Sequence, residues 1–261
     1  MKPLNNYFTF LGKELTENLR TKKLLVLVCV FLSFAMTSPL LTRFMGEFFA
    51  LLLPGDEAEA MLAMFGTPVW IDSYVQLYGN LGQIGAITVL LLFMGSILKE
   101  KSSGTADLVF TKGLQPAAFV LAKFTIAGVL VLVTTLISVL VGYVYTVVLF
   151  EYGGNIGNVL LGGLVFGVFL LMIVAIIMLC SSFVKSTAIS AVLGFSAFFF
   201  FIVLTAIPRI GVFTPGMLMA SSPISFTLGQ VPDGFLVSLI VTIAITILSL
   251  WAATKLTAIL K

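Results

Sequence analysis

Six long apolar runs, each free of charge over most of its length, dominate the pattern of hydrophobic and polar positions. Each run approaches or exceeds the roughly 20 residues that a helix needs to cross a bilayer. They predict an all-α polytopic membrane protein, because a membrane β-barrel shows alternating segments of about 10 residues instead. We treat residues 1–261 as one transmembrane domain, with predicted spans at residues 24–41, 74–98, 117–150, 159–182, 187–207 and 234–253.

The first 23 residues show a different pattern, because their apolar side chains recur at helical spacing. This stripe predicts an interfacial elbow helix that lies on the membrane before the first span. Glu14 and Asn18 stand at its margin. An amphipathic helix packed on a soluble partner is the alternative interpretation. The stripe comprises Leu4, Tyr7, Phe8, Leu11, Leu15 and Leu19.

Two connecting segments are too apolar to be freely solvated loops. Residues 42–72 are expected to lie against the outer leaflet or the helix bundle. Residues 208–233 contain four prolines and the glycines Gly211 and Gly216, which interrupt regular helix. Irregular backbone is tolerated at membrane depth only where protein covers it, so this segment predicts re-entrant half-helices before the sixth span.

Composition supports the membrane assignment, and charge adds its orientation. The chain is 60% hydrophobic, with a mean hydropathy of +1.18. With both termini in the cytoplasm, twelve of the 14 Lys and Arg residues lie inside, and only Arg43 and Arg209 lie outside. Because basic loops resist translocation, we predict this orientation in the cell membrane. The expected surroundings are the lipid bilayer, with no nucleic acid.

The segment from Leu98 to Lys123 is the longest charged interruption between two apolar runs. Thr105 is predicted to cap a short helix there, with Asp107 in its first turn. Gly113 would end that helix in the left-handed conformation, and Pro116 suits the first turn of the next span. We therefore predict a short cytoplasmic helix between the second and third spans.

Two polar side chains lie inside the second predicted span. Asn80 and Gln83 are candidates for lining a substrate path, since polar groups within spans are often functional. Hydrogen bonding between neighbouring helices is the other interpretation. The pattern alone leaves both open.

Several kinds of chemistry are absent from the sequence. It has no histidine, which removes the commonest general base and metal ligand. It has no phosphate-binding loop, because its only Gly-Lys pair, Gly12-Lys13, lacks the required neighbours. Cys29 and Cys180 fall within predicted spans, where they are expected to pack as small apolar groups. We expect no enzyme activity and no cofactor or metal in this chain.

The segment Glu100–Lys112, which reads E-K-S-S-G-T-A-D-L-V-F-T-K, resembles a signature of the permease subunits of type-2 ATP-binding-cassette exporters. The amphipathic start, the Ser182–Ser186 turn and the broken segment before the last span support that resemblance. Gly113 departs from it, because the family often has proline directly after the Thr-Lys pair.

The resemblance implies a coupling helix that contacts a separate ATPase subunit, which would bind ATP and Mg²⁺. It also implies a second permease subunit, identical or different, and export of an amphipathic or hydrophobic substrate such as a peptide, lipid or drug. Two alternatives remain: the charges only set topology, or the protein is a non-transporting immunity or sensor protein. The implied contact residues are Glu100, Lys101, Gly104, Thr105, Asp107 and Lys112.

Overall fold

The computed structural model describes residues 3–259, and every element in that part of the chain is helical. The α-helices are α1 Pro3–Arg20, α2 Lys23–Arg43, α3 Met45–Leu52, α4 Gly55–Phe65, α5 Trp70–Asn80, α6 Ala86–Phe93, α7 Leu98–Ser102, α8 Thr105–Thr111, α9 Pro116–Phe150, α10 Ile156–Phe183, α11 Thr187–Thr205, α12 Ser222–Thr227 and α13 Phe235–Ile259. A π-helical turn spans Leu81–Gly85, and two 3-10 turns span Gly211–Phe213 and Pro215–Leu218.

Six helical segments in the described chain are long and apolar enough to cross a membrane. Five are the single helices α2, α9, α10, α11 and α13. The sixth, Trp70–Ser102, joins α5, the π-helical turn, α6 and α7. The prediction of an all-α polytopic protein with six spans is confirmed.

The composite segment begins at Trp70, earlier than the predicted start of the second span at residue 74. Asp72 is accommodated in its first turn because its carboxylate accepts a 2.8 Å hydrogen bond from the Val69 amide. A carboxylate there also favours the positive end of the helix dipole. The charge at Asp72 therefore stabilises the first turn of α5 and does not prevent the segment from beginning at Trp70.

Helix α10 is the centre of the bundle. It packs against α6, α9, α11, α12 and α13. In the most apolar stretch of α10, 78% of the residues are buried inside the bundle, whereas the share is 17% in α11 and in α13. Glycines permit the close packing: a Cβ added to Gly162 would lie 2.6 Å from the carbonyl oxygen of Pro223. Helices α11 and α13 instead leave most of their apolar surface on the outside.

The segment between α11 and α13 is broken, as its prolines and glycines predict, and it packs on α10, α11 and α13. The hydroxyl groups of Thr205 and Thr214 lie 2.9 Å apart. The Ser238 hydroxyl donates a 2.6 Å hydrogen bond to the carbonyl oxygen of Thr214. The bond from Ser238 satisfies a backbone carbonyl oxygen that lies outside the α-helices. The depth of this segment in a membrane stays a prediction.

Helices α3 and α4 connect the first two candidate spans and keep large apolar side chains on their surface. Leu51 is 82% exposed and Met64 is 81% exposed. Such exposure is unfavourable in water, which agrees with the expectation that residues 42–72 are not a freely solvated loop.

Candidate functional site

Helices α7 and α8 form a hairpin at one end of the bundle. Gly104 makes the turn with a φ of 72°, a left-handed conformation that glycine adopts without strain. The prediction that Thr105 caps α8 is wrong: Gly104 occupies the cap position, and Thr105 is the first helical residue. The Thr105 hydroxyl instead donates a 3.2 Å hydrogen bond to the carbonyl oxygen of Glu100.

The end of α8 follows the sequence prediction. Gly113 has a φ of 87°, which terminates the helix in the left-handed region. Pro116 then opens α9, where its missing amide hydrogen costs nothing.

The base of the hairpin is attached to the end of α10. The Ser181 hydroxyl accepts hydrogen bonds from the backbone amides of Ile97, at 3.2 Å, and Leu98, at 3.0 Å. The Lys101 ammonium donates a 2.8 Å bond to the carbonyl oxygen of Ser182. Both ends of α7 are therefore attached to the same turn of α10.

A buried ion network, formed by Lys13, Glu14, Glu100 and Lys123, joins the hairpin to two further helices. The Lys123 ammonium lies 2.8 Å from Glu14 Oε1 and 2.7 Å from Glu100 Oε1. These three side chains are 3%, 4% and 9% exposed. The more exposed Lys13 ammonium lies 2.8 Å from Glu100 Oε1. We call this end of the molecule, where α1, α7 and the start of α9 meet, the charged end.

The position of α1 explains how Glu14 reaches this network. The helix packs on α9 and α2 with Phe10, Glu14 and Asn18 buried. Its stripe residues Phe8 and Leu19 stay 63% and 49% exposed. The side that the sequence marks as the margin of the stripe is therefore the side that faces the bundle.

Aromatic rings shield Lys123 from water. Its ammonium lies 5.1 Å from the ring centroid of Phe119 and 5.8 Å from that of Phe10. Cation–π attraction offsets part of the hydration that the ammonium loses. Removing one partner from a buried pair of this kind typically costs about 3–5 kcal/mol, because an unpaired charge is left behind.

The electrostatics of α1 follow from this burial. Burial raises the pKa of the Glu14 carboxyl above its ordinary value, because the attraction of Lys123 only partly offsets the lost hydration. Burial is the largest single influence on Lys13 and disfavours its charge, but the hydrogen bond to Glu100 and the attraction of Glu100, Glu14 and Glu17 together outweigh it and raise the pKa of the ammonium. Lys13 thus stays charged, and Glu14 takes up a proton at a higher pH than an exposed glutamate.

A small polar cavity of about 30 Å³ lies beside the network. Three oxygens at its wall, Asn18 Oδ1, Ser96 Oγ and Glu100 Oε2, have no hydrogen-bond partner among the described residues. Oxygens of Glu14, Glu17 and Glu100 come within 4.8 Å of one another. Lys23, Lys99 and Lys123 also line the cavity, and Lys13 is paired with the same carboxylates, so this donor set suits a water molecule better than a metal ion.

Helix α8 has an inner and an outer face. Ala106 and Phe110 are 1% and 7% exposed, and the Phe110 ring packs 5.3 Å from the Phe119 ring. Leu108 is 64% exposed. Among the residues that the sequence implies as contacts, Thr105, Asp107 and Lys112 are exposed, and Lys101 and Gly104 are half-buried. Thr105, Asp107 and Lys112, with Gly104 at the turn, form the outward surface of the hairpin, while the Lys101 ammonium is bonded to the end of α10.

Glu100 does not belong to that surface. With its backbone included, the residue is 7% exposed, and its carboxylate is bound to Lys123 and Lys13 within its own chain. An outward contact for Glu100 is therefore incompatible with its position, because its side chain is buried and bonded to α1 and α9. The interpretation that its charge only sets topology does not account for this burial either.

Asn80 and Gln83, the two residues predicted for a substrate path, lie in different environments. Asn80 donates a 3.2 Å hydrogen bond to the Ser38 hydroxyl, which links α5 to α2. Gln83 is exposed on the π-helical turn. The interhelical interpretation accounts for Asn80, and the structure does not bring the two amides into one polar path.

Sequence reasoning missed that Glu14 and Lys123 are partners. One signal was available: Lys123 lies two turns inside an otherwise apolar helix, where a charge requires a partner. The partner itself could not be chosen, since the paired residues are separated by 109 positions. Nothing in the sequence indicated that Ser181 would accept hydrogen bonds from α7, because serine is common at helix ends.

The fold and this site define a polytopic membrane protein that presents a helical hairpin at one end. Its class follows from comparison with known proteins: residues 69–255 match a family described as ABC-2 family transporter protein. The chain belongs to this family and is a membrane subunit of a transporter, as the permease resemblance predicted. The matched residues include the hairpin and Lys123 but not α1.

One relative is the uncharacterized transmembrane protein YxlG of Bacillus subtilis (strain 168). This chain is similar to it at 25% identity over 141 residues, which cover 54% of each protein. The chain thus spans about half the length of that curated relative. The likeness supports the membrane assignment and adds no substrate.

Proposed function

We propose that this chain is one permease subunit of an ABC exporter, driven by ATP hydrolysis in a separate ATPase subunit that binds ATP and Mg²⁺. One observation carries the proposal. The outer face of α8 is free for a partner, while α7, at the base of the hairpin, is bound to α10 through Ser181 and to α9 and α1 through Glu100. A push on α8 would therefore move three long helices together.

The contact with the ATPase would use the outward surface around Gly104. Thr105, Asp107 and Lys112 supply its polar groups, and the exposed Leu108 supplies an apolar one. Glu100 has a different role in this proposal: it holds the hairpin to Lys123 and is a positioning residue. A second permease subunit, identical or different, would complete the pathway, with the relative tilt of the two bundles as the two-state element.

In this proposal the charged end faces the cytoplasm, because basic residues are retained on that side. Both termini would then be cytoplasmic in the cell membrane. Helix α1 would lie in the interface with its exposed Phe8 and Leu19 towards lipid. Residues 208–233 would enter the membrane from the outer side as a re-entrant segment covered by α10 and α13.

The proposed substrate is amphipathic or hydrophobic, such as a peptide, lipid or drug. The described spans supply long apolar surfaces and only Lys123 as a charged group well inside a helix, and Lys123 is already paired. An ion would require fixed charges that are not committed to the fold.

The test is a reconstituted complex of this chain with the ABC ATPase that co-purifies with it. Asp107→Lys should reduce the stimulation of ATP hydrolysis by about tenfold, because it reverses a charge at the proposed contact. The matched control Glu57→Lys, exposed on α4, should retain it. Both variants should insert and melt like the wild type, because exposed substitutions change stability by about 0.5 kcal/mol or less.

Two outcomes would contradict the proposal. Undiminished stimulation in Asp107→Lys would exclude α8 as the contact. Failure of any ABC ATPase to co-purify would favour the non-transporting immunity or sensor protein.

A further inference from the structure

An apolar groove lies at the end of the bundle opposite the charged end, where α2 finishes and α3 begins. Its volume is about 590 Å³, within the range of pockets that hold small molecules. Carbon-rich side chains form most of the wall. The lining residues are Thr37, Leu40, Leu41, Phe44, Glu47, Phe48 and Leu51.

Glu47 is the one charged residue in this lining. It forms no ion pair within 4.0 Å with any residue that the structure describes, although Arg43 lies one turn earlier. Every ion pair in the described chain belongs to the charged end. A carboxylate beside apolar side chains, without a cation of its own, attracts a cation from elsewhere.

The wider charge balance points in the same direction. The segments that connect the helices at this end carry seven acidic residues against two basic ones, Arg43 and Arg209. Their field raises the local concentration of cations and repels anions. The acidic residues are Glu47, Asp56, Glu57, Glu59, Asp72, Glu151 and Asp233.

We infer that this groove binds a cationic amphiphile. The apolar body of the ligand lies along Leu40, Phe44 and Phe48, and its positive group meets the Glu47 carboxylate. Apolar lining alone would accept any acyl chain, so Glu47 supplies the preference for positive charge. Binding at the groove stands by itself. Only the further step, that such molecules are the exported substrate, rests on the proposed function.

The experiment uses the full chain in nanodiscs of phosphatidylcholine and a photoactivatable dodecyltrimethylammonium with a diazirine in its alkyl chain. Cross-linked residues are mapped by mass spectrometry. Label should concentrate in residues 37–51 of the wild type. Glu47→Gln should reduce it about fivefold, because the charge attraction is lost while the groove keeps its shape. The matched variant Glu57→Gln removes the same charge from the surrounding field but lies outside the groove, so it should reduce the label far less than Glu47→Gln.

A neutral probe with the same alkyl chain and a maltoside headgroup separates charge from apolar contact. It should label residues 37–51 weakly, and equally in the wild type and Glu47→Gln. Equal labelling by both probes would overturn the inference and identify an ordinary lipid-facing surface. A disulfide between two copies of Phe48→Cys, together with no label from either probe at residues 37–51 of the wild type, would also overturn it and identify a subunit interface.

Stimulation of ATP hydrolysis is measured in a separate experiment, so failure of the binding inference and failure of the proposed export can be told apart. Cationic label at the groove without stimulation of the ATPase complex would leave binding intact and contradict export. Stimulation by dodecyltrimethylammonium that persists in Glu47→Gln would support export and contradict this groove as the binding site.

Discussion

The two ends of this bundle are held together by different forces. At the charged end, Lys123 joins Glu14 and Glu100, and each of these bonds links a different helix. At the opposite end, the chain between α11 and α13 is held by hydroxyl groups such as those of Thr214 and Ser238. One end relies on a few strong, buried charges, and the other on several weak, neutral hydrogen bonds.

The difference determines how each end can move. A buried ion pair resists separation, because parting the charges leaves them without hydration. A neutral hydrogen bond contributes about 1 kcal/mol net and exchanges readily for another. The charged end is therefore suited to transmit a displacement as a unit. The opposite end is suited to rearrange when the displacement arrives.

The largest effect is expected from Lys123→Met, which leaves Glu14 and Glu100 buried with only the more exposed Lys13 as a cation. We expect a loss of about 3–5 kcal/mol, measured as a lower midpoint of thermal unfolding in detergent micelles. Lys112→Met, at an exposed position, is the matched control and should leave the midpoint unchanged. Adding Glu14→Gln to Lys123→Met should recover part of the loss, since one unpaired charge disappears. Equal midpoints for the two lysine variants would mean that the ion network does not stabilise the fold.

A smaller effect is expected at the opposite end from Gly162→Val. The new side chain would meet the Pro223 carbonyl oxygen, which lies 2.6 Å from the ideal Cβ position. Displacement of α12 should cost about 1–3 kcal/mol in the same unfolding measurement. Gly79→Ala is the control, because nothing lies within 4 Å of its added Cβ and alanine favours helix. A loss in Gly162→Val as large as that in Lys123→Met would remove the contrast between the two ends.

The smallest effect concerns pH and sharpens the role of Glu14. Its raised pKa means that the folded state binds the proton more tightly than the unfolded state. This carboxyl therefore contributes stability that is fully present below its unfolded value of 4.5 and is lost as the pH rises through its folded value. Between about pH 4.5 and pH 7, the unfolding midpoint of Glu14→Gln should fall less with rising pH than that of the wild type. Parallel curves would contradict the raised pKa.

The local pattern of residues was sufficient to predict the candidate spans and the end of α8, because lipid exposure and helix termination depend on residues close together in the chain. Apolar run length alone predicted six candidate spans. Gly113 and Pro116 alone predicted where α8 ends and α9 starts, as the structure has them. The cap of α8 was assigned wrongly to Thr105, since its hydroxyl has a choice of partners and the backbone already turned at Gly104.

By itself, then, the sequence determined an all-α membrane protein with six candidate spans, a helix-breaking segment before the last one and a short helix in the charged segment between the second and third spans. Only the tertiary structure decided which charges face inward. Glu100 and Lys101 are neighbours in the chain, yet one is buried against Lys123 and the other bonds to the end of α10. Partners for a buried charge are chosen by helix packing across more than a hundred residues, and periodicity along one helix carries no information about that choice.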